Sequence, residues 1–549
     1  MYGSMDLPGP MHPCLHVDEI LRLITRELLD PEDQATAVAL ACCCKSFEDP
    51  VLDVLWEVQT RLFHLVKSLP GVLWVEGRWA VSAPTTYTTF PLNFSIRKPF
   101  KRPPTARELD RFRKYARRMR KFEDNRSLPL EILSVMRQYT TNEPLFPNLE
   151  ILHFYAADRK LVPLISMFLS PRTTTISIGF SECTHLHATM IASAITALPT
   201  LCPNLQKISL QSLPRDPVIT TAISRMTLVG DWGALRSFWV DSPLAEEASE
   251  VIYQLPSLRK LRMVIEEDTS LPSLVLPNLT SLYLECDRDD GWSRMLREAT
   301  LGKLESITFY SRSKQVGDPL KVFTRVAQAA SAQNTLSRIR IYTSYTWNPN
   351  YSSLLPYTQM TWLTIMFSCN VRCSSTVDDE VIMNLAQAMP KLKILQLGDP
   401  PCSKIPIGIT VKGLMVLAHH CPDLATLRIH FKVASLSAPP AIAEATSEVG
   451  STILRRDCSL TLLDAGAIPM QKVSVLVVAL TLARIFPLIK TIQSSDANWV
   501  KVVRAITTSR EIIDYSGEDC YLTPPRSNFG VIPPQEPYSR TVVNLCIVE

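Results

Sequence analysis

The 549-residue chain carries none of the short signatures that announce common enzyme chemistry. There is no G-x-x-x-x-G-K-[ST] or G-x-G-x-x-G to cradle phosphates, no H-E-x-x-H for zinc and no G-x-S-x-G nucleophile turn. Charge of one sign is missing as well. The net charge is +4, from 57 basic and 53 acidic residues, which gives no global pull toward nucleic acid or a membrane. The most apolar run, 473–489, is interrupted by Arg484 and Pro487 and is too short to span a bilayer. The first fourteen residues contain Pro8, Pro10 and Pro13 and no apolar stretch, so no signal peptide is expected. Fourteen cysteines are scattered, three of them adjacent (Cys42, Cys43, Cys44), a pattern unlike a disulfide framework. Reduced thiols in the cytoplasm or nucleus are the expectation.

What is present is repetition in a chain of ordinary folded composition, 46% hydrophobic and 20% charged. Phe146-Pro-Asn-Leu-Glu-Ile-Leu returns as Cys202-Pro-Asn-Leu-Gln-Lys-Ile, Leu255-Pro-Ser-Leu-Arg-Lys-Leu and Leu276-Pro-Asn-Leu-Thr-Ser-Leu. It returns again as Met389-Pro-Lys-Leu-Lys-Ile-Leu and Cys421-Pro-Asp-Leu-Ala-Thr-Leu. An L-x-x-L-x-L unit is a short strand with its apolar side chains on one side, and it has no core until another copy stacks beside it. The first apolar residues of successive units are Leu149, Thr173, Leu205, Leu235, Leu258, Leu279, Leu304, Leu336, Met360, Leu392 and Leu424. Weaker copies precede them (Met119, Phe122) and follow them (Leu460, Leu463; Ile489, Ile492). Segments between units read as helices: 188–198, 381–389 and 413–421 each place apolar residues on one face. This alternation resembles the leucine-rich-repeat family over about residues 115–495, with the unit 409–429 similar to the cysteine-containing subtype. The resemblance implies an α/β fold, a curved solenoid with parallel strands on the concave face and helices on the convex face.

The N-terminal part differs. Ile20-Leu-Arg-Leu-Ile-Thr-Arg-Glu-Leu-Leu reads as an apolar helix and Asp30-Pro-Glu-Asp as a turn. A second helix rich in Ala and Cys is expected from Gln34 to Phe47, and a third ends in Leu55-Trp56-Glu57. The Glu-Ile-Leu-x-x-Ile start, Cys44-Lys45-x-Phe47 and the Leu-Trp close resemble an F-box. That family usually opens with Leu-Pro, where this chain has Leu15-His16. As a whole the chain resembles F-box proteins with leucine-rich repeats, of the large, divergent sort found in basidiomycete fungi. The organisation expected is a disordered start at 1–14 and an F-box at 15–57. A linking helix and loop follow at 58–106, then the solenoid at 107–495 with a disordered insertion near 434–451. A C-terminal cap and irregular tail fill 496–549.

The resemblance implies a non-catalytic substrate-recognition subunit of a Skp–cullin–F-box ubiquitin ligase. Its partners would be a Skp-type adaptor, a cullin and a protein substrate of unknown identity. Adaptor contacts are expected at Leu15, Ile20, Leu21, Ile24, Leu28, Leu29, Phe47, Leu55 and Trp56. The substrate is expected on the concave face, where alternate strand positions point out of the sheet. Reading those positions collects Trp239, Arg262, Tyr283, Tyr310, Arg338, Arg340, Tyr342, Trp362 and Arg428, residue types that dominate interface hot spots. Glu285, Thr308 and Thr364 are expected to point outward with them. The opposing reading is that these aromatics only stack on cross-strand neighbours.

No catalytic residue, cofactor or metal is expected. Cys369 and Cys373 fall in a different repeat from His419, His420 and Cys421, and Cys42–Cys44 read as core packing. One segment is strongly basic: residues 97–126 hold thirteen Lys/Arg against four acids, so they carry +9 and the rest of the chain −5. Within it Leu109, Phe112, Tyr115, Met119 and Phe122 recur at helical spacing. A cap on the first repeat is the favoured reading, and a nucleic-acid or phospho-partner patch the other. The alternative function is a ligase-independent scaffold binding protein or RNA; membrane binding is not expected.

Overall fold

The computed structural model describes residues 12, 17–29, 34–73, 101–102, 104–124, 130–137, 143–155, 159–180, 183–265, 276–286, 296, 301–311, 320, 323, 335–343, 349–367, 377–398, 408–437, 458–466, 468, 470, 474–494 and 496–515. Three helices come first: α1 (Asp18–Leu28), α2 (Ala35–Cys43) and α3 (Lys45–Glu57). Cys44 is fully extended and separates α2 from α3, so Phe47 lies in the first turn of the third helix and not late in the second. Its ring closes a small core with Leu21, Ala37 and Val51.

From α3 the chain passes directly into a fifteen-stranded parallel sheet whose spatial order is its sequence order. The strands are β1 (Val58–Gln59), β2 (Lys121–Asp124), β3 (Ile151–Tyr155), β4 (Thr175–Gly179) and β5 (Lys207–Gln211). Next come β6 (Ser237–Pro243), β7 (Lys260–Ile265), β8 (Ser281–Cys286), β9 (Ser306–Ser311) and β10 (Arg338–Thr343). The last five are β11 (Trp362–Phe367), β12 (Ile394–Leu397), β13 (Thr426–Arg428), β14 (Leu462–Gly466) and β15 (Thr491–Ser494). β1 lies in what the sequence presents as a linking helix; it pairs with β2 through Val58–Lys121 and Gln59–Phe122. The helical part of that segment is the short α4 (Leu62–Val66).

The repeated phrase explains itself in this setting. Each unit's first apolar residue, from Leu149 to Leu424, is buried in one continuous core, Thr173 included. Proline ends the preceding helix, and where asparagine follows it, that side chain ties the turn to the one before. Asn148, Asn204 and Asn278 donate through Nδ2 to the carbonyls of Arg117, Pro171 and Pro256 at 2.6, 3.1 and 2.9 Å. Thr174, Thr280 and Thr361 hydroxyls likewise donate to the carbonyls of Glu150, Arg259 and Ser337 in the preceding unit. Turn polar groups are thus satisfied between repeats, as buried backbone requires.

Helices such as Pro217–Val229, Glu246–Tyr253, Asp379–Ala388 and Val411–His420 cover the apolar face of the sheet. Packed helices need about 8–10 Å each whereas strands need about 4.8 Å, so the helical layer is the wider one and the sheet becomes the concave side. The architecture is an α/β solenoid of leucine-rich-repeat type. Helix Asn498–Tyr515 closes the far end, burying Trp499, whose indole donates to the Ile468 carbonyl at 3.0 Å. Val433–Ser437 forms a 3-10 turn with Leu436 buried, so the chain is ordered at the start of the expected insertion. Of the expected loop from 80 to 106, residues 101–102 and 104–106 are described and Ala106 already opens a helix; its remainder, the rest of that insertion, residues 1–11 and the tail from 516 lie outside the described residues.

Candidate functional site

Parallel pairing in register turns the open face of the sheet into rows. One row runs Ser209, Trp239, Arg262, Tyr283, Thr308, Arg340, Thr364, Gln396, Arg428. At its centre the Arg262 guanidinium sits between two rings, 4.6 Å from the Trp239 centroid and 3.9 Å from that of Tyr283. Two carboxylates hold it there: Asp241 at 2.9 Å and Glu285 at 3.2 Å. Asp241 also accepts the Ser212 N–H at 3.0 Å, from a serine that takes φ 54° to reach it. Burial pushes the Tyr283 phenol well above the ordinary tyrosine range. The cluster sets one guanidinium against two carboxylates.

Further along, Arg340 stacks on Trp362 at 4.0 Å, and the Trp362 indole donates to Thr364, which donates to Gln396. Tyr310 and Tyr342 lie 6.5 Å apart on adjacent strands, and Tyr310 is exposed. Arg338 stands in register between Ser306 and Trp362, and Arg428 pairs with Asp464 at 3.1 Å. All nine sequence-selected residues therefore lie on one face: Trp239–Arg262–Tyr283, Arg340–Trp362 and Tyr310–Tyr342 contact one another, Arg428 pairs with Asp464, and Arg338 stands in the row beside Trp362. Glu285, Thr308 and Thr364, expected to point freely outward, are buried, because long neighbours in the sheet lie over them.

The N-terminal module redistributes the residues proposed for an adaptor. Leu21 and Phe47 are interior, and Leu29 and Leu55 pack against them, so these four hold the three helices together. Trp56 turns the other way, stacks on Tyr115 at 4.7 Å and joins the solenoid core. Ile20 and Ile24 are half-buried and Leu28 is exposed, while Leu15 lies outside the described residues. The sequence missed Val17, Leu23 and Val38, which are exposed on the same module. Cys42 and Cys43 are exposed and not core, and Cys44 is half-buried against the module. The Cys44 thiol is lowered by a 3.0 Å contact with Ser46 Oγ.

The basic segment has a structural task. Helix α5 (Ala106–Ala116) starts with a capping box: Thr105 Oγ1 accepts from the Glu108 N–H, and Glu108 accepts from the Thr105 N–H. Its apolar side buries Leu109 and Phe112 in the solenoid core, and Met119 and Phe122 follow. Its basic side reaches back to α3. Arg118 pairs with Asp49 and Asp53, and Lys114 with Glu48 at 3.1 Å. Arg22 joins Asp53 at 2.9 Å, Arg26 joins Glu57 at 3.0 Å, and Arg120 pairs with Glu150 at 2.6 Å. Arg22, Arg26, Asp53, Glu57, Arg118, Arg120 and Glu150 line a groove of about 1220 Å³ between the module and the first repeats. The segment is a clasp: its Lys114, Arg118 and Arg120 are each answered by an acid from outside it.

Among the described residues no group of three or more His, Cys, Asp or Glu is placed to hold a metal ion. Cys369 and Cys373 lie outside them; His419 and His420 stack edge to face at the end of their helix. Cys421 is interior, its thiol pushed up to about 12 by burial. No described helix is long and apolar enough to cross a membrane.

Comparison with protein-family models and with curated proteins finds no match. Among solved structures, the chain is similar to an internalin from Listeria monocytogenes, at 12% identity over 72% of this chain and 80% of that one, with a TM-score of 0.29. It is also similar to a chain of the Rad7 and Elc1 complex in yeast, at 16% identity over 55% of this chain and 77% of that one, with a TM-score of 0.32. At these scores neither likeness bears on function.

Proposed function

We propose that the chain is a non-catalytic recognition subunit of a Skp–cullin–F-box ubiquitin ligase. The N-terminal module would hold the Skp-type adaptor and so the cullin, and the concave face would hold a protein substrate in the cytoplasm or nucleus. The carrying observation is the unfinished packing of α1. Its apolar arc includes Val17, Ile20, Leu23, Ile24 and Leu28, yet only Leu21 and Thr25 are buried. Covering a leucine-sized side chain is worth about 1.5–3 kcal/mol, so a partner seated on this arc gains several such increments. Ile20, Ile24 and Leu28 are the retained adaptor contacts; Leu21, Leu29, Phe47, Leu55 and Trp56 support them from inside. On the concave face the contact residues remain Trp239, Arg262, Tyr283, Tyr310, Arg338, Arg340, Tyr342, Trp362 and Arg428. The rate gain would come from proximity, by holding a lysine-bearing substrate near the charged conjugating enzyme.

The test is co-purification with the adaptor. Ile20→Asp/Ile24→Asp should abolish it while the solenoid melts unchanged, whereas Leu21→Asp should unfold the module itself. Adaptor binding that survives Ile20→Asp/Ile24→Asp would overturn the assignment. Of the three arginines on which the RNA-scaffold alternative rests, Arg118 and Arg120 already have carboxylate partners, which favours the protein-binding reading, while Arg117 is exposed.

A further inference from the structure

Four basic side chains crowd the N-terminal lip of three adjacent strands. Lys207 opens β5 and Lys260 opens β7, while Arg236 and Arg259 stand immediately before β6 and β7. Register sets Lys207 beside Ser237 and Ser237 beside Lys260. The Arg259 N–H donates to the Arg236 carbonyl at 2.8 Å. With strands about 4.8 Å apart, the four bases lie within roughly 10 Å across the sheet. All four are exposed. Among the described residues no carboxylate pairs with any of them. Their neighbours in the same two rows are uncharged: Thr174, Thr175, Gln206, Ser237, Thr280 and Ser281.

The contrast with Arg262, two residues along β7, is informative. That inner cation has two carboxylates, whereas the lip cations have none and repel one another across the strands. An anion laid along the lip relieves the repulsion. Its class follows from the adjoining rings. Single-stranded nucleic acid sites combine cations with free aromatic faces on which bases stack. Here the facing sides of Trp239 and Tyr283 are already filled by Arg262. We propose that this lip binds an acidic segment of a protein partner. Its carboxylate or phosphoryl groups meet Lys207, Arg236, Arg259 and Lys260, and its flanking residues lie on the Trp239–Arg262–Tyr283 stack. The proposal rests on the reading of the concave face as a protein-binding surface.

Fluorescence anisotropy of the full chain tests it with labelled octaglutamate, octaglutamine, a phosphoserine peptide of equal length and octauridylate. The anionic peptides should bind at low salt, and octaglutamine about ten-fold or more weaker. Lys207→Glu/Lys260→Glu should lower anionic-peptide affinity by about ten-fold or more, with unchanged circular dichroism, and the difference should shrink at high salt. Tighter binding of phosphoserine or of glutamate identifies the anion's source, and either supports the proposal. Octaglutamine binding as well as octaglutamate overturns it, as does a charge-reversed variant that binds like the parent. Octauridylate binding more tightly than either peptide overturns it in favour of nucleic acid. Adaptor co-purification is read in parallel. Adaptor retained without peptide binding sinks the lip alone, and peptide binding without adaptor sinks the ligase reading alone.

Discussion

Arg262→Ala is the most informative single change. Arg262 keeps only 15% of its side chain exposed, and its removal strands Glu285 at 3% and Asp241 at 20%. Removing one partner of a buried ion pair costs about 3–5 kcal/mol. Two features reduce that here. Asp241 keeps the Ser212 N–H, and Arg215, itself half exposed, stands 3.9 Å from Glu285. Taking about 2–3 kcal/mol for the ion pairs and about 0.5–1 for the lost cation–π contacts gives a net cost near 3 kcal/mol. Stability in a repeat array is a sum of local and nearest-neighbour terms, so the loss should concentrate in β6–β8. Amide exchange there should accelerate about a hundred-fold, since each 1.4 kcal/mol is a factor of ten. β2–β4 should be unchanged. Glu285→Gln should be milder because Arg262 keeps Asp241, and combining the two should cost less than their sum by about 1–2 kcal/mol. Exchange in β6–β8 within two-fold of the parent, or a double variant additive to about 0.3 kcal/mol, would refute the stack as the organising element of this face.

Arg118→Ala should loosen the clasp, raising amide exchange in α3 by roughly ten-fold, about 1–2 kcal/mol, while β6–β8 stay protected. Thiol labelling with a maleimide, read by mass spectrometry, should modify Cys42 and Cys43 in the native protein. Cys202, Cys286, Cys421 and Cys458 should react only after denaturation, since all four are buried and burial pushes Cys202 and Cys421 up to about 12. Cys44, lowered by its Ser46 contact, should label faster than Cys42 as pH falls below the usual thiol range. Glu108 is held down to about 2, first by Arg102 and then by the Thr105 cap. A depressed carboxylate stabilises above its unfolded value of 4.5 and loses that contribution as pH falls toward about 2. Helix α5 should therefore lose protection, measured as exchange relative to the unfolded chain at the same pH, through that window, and Glu108→Gln should be less protected than the parent near neutral pH but match it near pH 2.

The solenoid was legible because its spacing is a consequence of packing: Leu149, Leu205, Leu279 and Leu424 recur where each turn needs a core residue. Strand β1 was not, because Val58-Gln59 has no alternation to read and owes its conformation to backbone pairing with residues 121–122. Helical periodicity exposed the apolar arc of α1, but not that Leu21 faces inward while Leu23 faces water. The concave row could be read from strand alternation, whereas the sandwich of Arg262 depends on three strands meeting in register. The basic segment misled for a similar reason. The acids that answer Lys114 and Arg118 sit about 65 residues upstream, a separation that composition cannot bridge.

The passage from α3 to β1 without an intervening linker makes the sheet a ruler. Counting strands from β1 at about 4.8 Å each, β7 lies roughly 29 Å along the arc and β15 roughly 67 Å. Whatever rests on the Arg262 strand is therefore set at a distance counted in repeats from whatever holds α1. Deleting or inserting one repeat between them would shift that distance by a single strand width and leave both surfaces intact.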